Sequence, residues 1–152
     1  MNYMSQRVPY NGEDAKLGHE QFQHLAEKGF DMEMKKVNFQ EKADLIKELH
    51  AYKVIAQMND YYFKMVKAKR DFVWHQHPET DEVFVGIQGN FKMATREQVF
   101  EISEGEMIVV PKGVEHKPIC DEECCVMLIE PKETVNTGNA GGSLTDTKLE
   151  WI

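Results

Sequence analysis

The chain is short of cysteine, of positive charge and of long apolar runs, and each shortage removes a class of protein. Its three cysteines, Cys120, Cys124 and Cys125, are odd in number, and two are adjacent. That argues against a disulfide framework and fits a reducing, cytoplasmic setting. As a zinc site the CxxxCC run is poor, because Cys124 and Cys125 would point to opposite faces of a strand; small core residues are the better reading. Basic residues number 18 against 26 acidic ones, a net charge of −8. Phosphate neutralisation needs clustered Lys and Arg, so neither nucleic acid nor an anionic membrane is an expected partner. The one basic cluster, Lys64, Lys67, Lys69 and Arg70, reads as a solvated face or the rim of a pocket. No apolar stretch approaches the roughly 18 residues of a membrane span. The opening MNYMSQRVPYNGED lacks the apolar centre of a secretory signal.

What is present is enough for one domain: 152 residues, 41% of them apolar. After Tyr52 the pattern becomes that of many short strands. Expected strands cover 53–57, 61–69, 72–77, 82–88, 90–95, 98–102, 107–111, 116–119 and 124–130, with Gly-, Asn- and Pro-marked turns between them. Without βαβ alternation, this predicts an all-β sandwich or barrel. Before it, 38–49 reads as a helix capped by Asn38, with Glu41 in the capping-box position. Residues 17–28 read as a short amphipathic helix stopped by Gly29. The glycine-rich stretch 136–147 has no strand–helix context for a phosphate cradle and reads as a flexible tail. The alternative is a lid, with Trp151 and Ile152 docking its end on the barrel.

The chemistry gathers at HQHPETDEVFVGIQG and GEMIVVPKGVEH. His75 and His77, two residues apart on a strand, project to one face, and Glu82 can return to it after a turn at 78–79. With His116 they make three imidazoles and one carboxylate, a donor set suited to zinc, iron, nickel, cobalt or manganese. On an octahedral ion four protein donors leave about two positions for water or substrate.

His75, His77, Glu82 and Gly89 match HxH(x4)E(x6)G, and Gly105, Pro111, Gly113 and His116 match G(x5)PxG(x2)H. These resemble the two signature motifs of the cupin superfamily, separated here by 15 residues, 90–104. The resemblance runs from about Val37 to Pro131 and extends to small single-domain cupins of the mannose-6-phosphate isomerase-like type. Lys69 and Cys120 stand where the motifs normally carry Gly and Asn; both positions serve turns or packing, so the four candidate ligands are untouched. The resemblance implies a double-stranded β-helix, the jelly-roll cupin barrel, with one or two short N-terminal helices. It divides the chain into an arm at 1–33, a barrel domain at 34–135 and a tail at 136–152. It also implies a divalent metal at His75, His77, Glu82 and His116.

Placing His75, His77 and Glu82 inward puts Phe72, Trp74 and Gln76 outside, and Phe84, Gly86 and Gln88 inside. Strands such as MIVV and CVMLI are then apolar on both faces and need cover on both, which points to a twofold homodimer. Three functions stay open: a metal-dependent enzyme on a small oxygen-rich molecule (isomerase, lyase or dioxygenase chemistry), a noncatalytic module that binds a metabolite, and a structural-metal scaffold. A base or acid beside the metal would separate the first two, and Tyr62, Lys64 and Gln88 are candidates. No phosphate-binding cluster is evident beyond scattered lysines.

Overall fold

Runs of β-branched and aromatic residues punctuated by Asn and Gly fold here into antiparallel hairpins. The structure, a computed structural model, describes residues 34–152, so the expected arm at 1–33 and its helix lie outside the described residues. Among the described residues one helix, α1 (Phe39–Leu45), precedes nine strands. These are β1 (Lys53–Met58), β2 (Tyr61–Ala68), β3 (Glu82–Gln88), β4 (Phe91–Thr95), β5 (Val99–Ile102), β6 (Met107–Val110), β7 (His116–Ile119), β8 (Cys124–Pro131) and β9 (Glu150–Trp151). Six form a sheet in the order β6-β3-β8-β2-β1-β9, and three form a second in the order β5-β4-β7. Packed face to face, the sheets make the jelly-roll barrel. Asn59 (φ 52°) and Gly89 (φ 68°) reverse the chain between β1 and β2 and between β3 and β4. Both occupy the left-handed region that these two residue types enter most readily.

Alternation along β8 builds two cores. Val126 and Leu128 face the barrel interior with Val66, Phe84, Phe91 and Met93. Cys125 and Met127 face outward and are covered by Ala43 and Ile46 of the α1 region. The cysteines are therefore core residues on opposite faces, with Cys120 and Cys124 in the interior and Cys125 outside.

The helix is shorter than expected. Asn38 caps it as read, its side chain accepting from Gln40 N and Glu41 N at 3.0 and 3.3 Å. It stops at Leu45 because Ile46 turns into extended geometry and is buried on the outer core. His50 then donates its N–H to Lys67 O at 2.7 Å, which ties the chain to the end of β2.

The segment 72–77 is not a regular strand. Its pairing with β7 is limited to the isolated bridges Asp71↔Ile119, at its start, and His75↔His116, whose registers differ by one residue. Pro118, facing it, accepts from Phe72 N but has no N–H to return, so the ladder breaks there. The slip resets the alternation and turns Phe72 inward, edge-on to His75, against the outward placement expected of it. A second irregularity lies between Gly86 and Gln88 of β3. It carries Gln88 outside to donate to Gln40 Oε1 at 2.7 Å, away from the interior position expected.

Residues 136–152 are hydrogen-bonded among themselves and pack against the barrel, with Trp151 and Ile152 docked at their end. Asn136 braces the loop, donating to Leu144 O and accepting from Asp146 N, each at 2.9 Å. β9 pairs in parallel with β1, Trp151 packs edge-on to Tyr62, and Ile152 joins the outer core. Gly138 (φ 48°) lies so close to the His75–His77 segment that a Cβ would sit 2.3 Å from Gln76 O. Only glycine fits that approach.

Candidate metal centre

Four separate positions supply the cluster. His75 and His77 come from the irregular segment before β3, Glu82 opens β3, and His116 opens β7. Two backbone bonds lock His75 to His116, at 3.0 and 2.9 Å, and Gly113 donates to His77 O at 2.9 Å. The turn before His116 is thereby pinned to the first two histidines. One donor atom from each of the four residues lies within 4.8 Å of the others, and all four side chains are buried.

Hydrogen bonds set the direction of the rings. His75 Nδ1 lies 3.0 Å from Val73 O, and His116 Nδ1 lies 3.0 Å from Val114 O. A carbonyl only accepts, so each Nδ1 carries the proton and each Nε2 keeps a free lone pair directed inward. Backbone carbonyls thus hold the second nitrogen of both rings, and the nearby Gln76 and Asp81 side chains take no part. Asp81 instead accepts from Lys112 N, and Gln76 binds Asn139 through its backbone.

Inside, His77 Nε2 and His116 Nε2 come within 3.2 and 3.3 Å of Glu82 Oε2. All three atoms are nevertheless buried without a hydrogen-bond partner of proper geometry. Buried polar atoms are nearly always satisfied, and each orphan costs on the order of 1–3 kcal/mol. Acceptor lone pairs turned toward one point fit a shared cation better than they fit one another. The donor set and the orphaned atoms therefore suit a divalent metal.

Burial alone would raise the Glu82 carboxyl, but the His116 and His77 rings beside it outweigh that and hold it well below the usual carboxylate range. Burial, reinforced by the charge of His116, brings His75 down to about 4. Glu82 is thus ready as an anion and His75 as a neutral imidazole, the forms that metal binding requires.

Glu130 is a neighbour of the cluster that was missed from the sequence. It stands opposite Glu82 on β8 and is completely buried, and burial together with the Glu82 charge raises its carboxyl to about 8. Lys64, also buried, donates to Glu130 Oε1 at 3.0 Å and to Thr134 O at 3.1 Å. Of the three acid–base candidates, Lys64 is interior and paired, Tyr62 lies against Trp151, and Gln88 is outside. The signal for Glu130 was a lone acid at an inward step of an otherwise apolar strand. Tyr52 was also missed. Its phenol is buried near Glu82, bonded to Asn136, and held protonated by burial and then by the Glu82 charge.

Fold and cluster together define a barrel with an interior site of three histidines and one glutamate. The cupin-domain family model (Cupin_2) matches residues 62–130. A cupin-2 domain containing protein from Shewanella frigidimarina is 50% identical, covering 63% of this chain and 94% of that one, with a TM-score of 0.62. Protein NMB1881 from Neisseria meningitidis is 31% identical, covering 64% of this chain and all of that one, with a TM-score of 0.59. The uncharacterized protein YdbB of Bacillus subtilis (strain 168) is 26% identical over 76 residues, 49% of this chain and 67% of its own length. The chain belongs to the cupin superfamily, as one of its small-domain members.

Proposed function

We propose that this cupin is a metal-dependent enzyme acting on a small molecule, with His75, His77, Glu82 and His116 as ligands of one divalent first-row ion. The observation that carries the reading is the convergence of four buried donor atoms within 4.8 Å, those of His77, Glu82 and His116 being without a hydrogen-bond partner. When bound, such an ion supplies Lewis-acid polarisation of a substrate oxygen, as isomerase, lyase or dioxygenase chemistry requires. The chain's own residues do the rest. Val73 O and Val114 O fix two ring orientations. Lys64 and Glu130 back the Glu82 carboxyl, and Asn136 holds the Tyr52 hydroxyl. Tyr52 favours catalysis over passive binding, because it brings a proton-bearing group to the interior beside Glu82.

The noncatalytic and scaffold readings differ in outcome. A scaffold metal would be closed to small ligands, and a binder would take a ligand without converting it. Elemental analysis of protein purified without chelators should find one equivalent of zinc, iron, manganese, nickel or cobalt. His77→Ala should lose it while keeping the far-ultraviolet circular dichroism of the parent; metal retained at the parent level would reject the assignment. We also infer a twofold homodimer through the outer face of the larger sheet, where Met107 and Val109 are exposed.

A further inference from the structure

Between the sheets, beside the cluster, lies a cavity of about 40 Å³. Its wall is apolar, built chiefly from Val66, Phe72, Phe84, Phe91, Val126 and Leu128. Phe72 and Phe84 stand edge-on to His75 and His116, with ring centroids 5.3 and 5.9 Å apart, so the cavity adjoins the candidate metal centre. Apart from the Cys120 thiol, the polar side chains in the lining are His50, Tyr52 and Arg70. The Tyr52 hydroxyl is engaged by Asn136. Burial and then the neighbouring Arg70 charge lower the His50 pKa, favouring its neutral form. Arg70 is exposed at the mouth and has no ion-pair partner among the described residues, on a chain of net charge −8. One cation at the entrance of an apolar cavity is the recognition chemistry of an amphipathic anion.

We propose that this cavity takes a small organic monoacid, its carboxylate on Arg70 and its short hydrocarbon body against the phenylalanine wall. The inference rests on reading the interior as a ligand site and names the substrate class. It departs from the oxygen-rich ligand expected from the motifs, because polyol hydroxyls would be stripped of water against Phe72, Phe84, Phe91 and Leu128 without partners. Size narrows it further. The space holds about three water-sized spheres, whereas a benzene-binding cavity is on the order of 150 Å³. A body of a few carbon atoms fits and an aromatic ring does not.

The test follows amide chemical shifts of the full chain, cobalt-loaded and chelator-treated, during titration with isobutyrate, isobutyramide, glycerol and benzoate. Isobutyrate is expected to shift residues around Phe72, Phe84 and Leu128 saturably in the chelator-treated protein, and the other three probes are not. Arg70→Gln, at an exposed position, should weaken isobutyrate by about tenfold or more with cobalt stoichiometry unchanged. Glycerol or isobutyramide binding as well as isobutyrate would overturn the proposal. So would isobutyrate binding that needs the metal and ignores Arg70→Gln, since the carboxylate would then sit on the metal alone. Failure to take up cobalt, with Arg70-dependent isobutyrate binding intact, would remove the metal reading and leave this one standing.

Discussion

Two adjacent layers of the barrel interior are built from the same three strands and have opposite chemistry. β2 contributes Lys64 to one and Val66 to the other; β3 contributes Glu82 and Phe84; β8 contributes Glu130 and Leu128. Two residues along a strand is about 7 Å. Within that distance the interior passes from buried charge to close-packed hydrocarbon. The apolar layer stabilises the fold, while the charged layer costs desolvation that its pairings only partly return. A fold selected for stability alone would not keep three histidines, two carboxyls and a lysine in its core. The contrast separates the residues that hold the barrel from those the barrel exists to hold.

The sharpest way to break the contrast is to leave one charge alone. Above pH 8, where the Glu130 carboxyl is ionised, Glu130→Leu strands the buried Lys64 ammonium with only Thr134 O, and should cost about 3–5 kcal/mol in urea unfolding. Lys64→Met/Glu130→Leu together should recover nearly all of it, because a matched apolar pair needs no solvation. A double variant as unstable as the single one would mean that the pair itself stabilises the fold. In the neighbouring layer, Leu128→Ala should cost about 2–5 kcal/mol by opening a cavity, yet retain full metal stoichiometry. Loss of metal in that variant would show that the layers are not separable.

Acid should act on the charged layer alone. The folded-state pKa of His75, about 4, lies below its ordinary 6.5, so the unfolded chain binds this proton more readily. The neutral-His75 contribution is therefore present above about pH 6.5 and lost as pH falls toward 4, roughly 3 kcal/mol in all. Glu82, also depressed, adds a loss at lower pH, as its carboxylate is protonated. Glu130, raised to about 8, has the opposite slope over this range, because the folded chain keeps its proton where the unfolded chain has lost it. The His75 part is therefore read in chelator-treated protein as a difference: the parent should lose about 3 kcal/mol relative to His75→Gln between pH 6.5 and 4, and a constant difference would assign the pH dependence to other groups.

Much of this was legible in the sequence because it was written in fixed spacings. HxH(x4)E and PxG(x2)H name four side chains, and period-two alternation with turn residues locates eight of the nine strands to within about two residues. What escaped was set by contacts between distant segments. Pro118 breaks the ladder opposite Phe72, so one inward–outward assignment slipped. The break in register after Gly86 did the same to Gln88. Glu130 acquires its meaning only from the register that puts it across from Glu82. Residues 136–152 look featureless because their order comes from Asn136, Gly138 and Trp151 meeting the barrel, which no local pattern announces.

The outer face of the larger sheet offers a second, gentler comparison. Its α1 half is covered, with Ala43 and Ile46 over Met65 and Met127. Its β6 half leaves Met107 65% and Val109 48% exposed among the described residues. A lone exposed valine replaced by a charge changes the stability of a monomer by only about 0.5 kcal/mol. If a second copy covers this face, the same substitution places a carboxylate at the centre of an apolar interface and opposite its own symmetry mate. Val109→Asp should then leave the thermal midpoint of the dilute protein nearly unchanged while light scattering falls from the dimer mass to the monomer mass. A parent that already scatters as a monomer, or a Val109→Asp variant that remains a dimer, would reject this face as the contact. The expected arm at 1–33 is an alternative to a second copy as the cover of this face, and removing it tells the two apart. A rise in scattered mass on truncation assigns cover of the apolar half to that segment, and an unchanged dimer assigns it to the second copy.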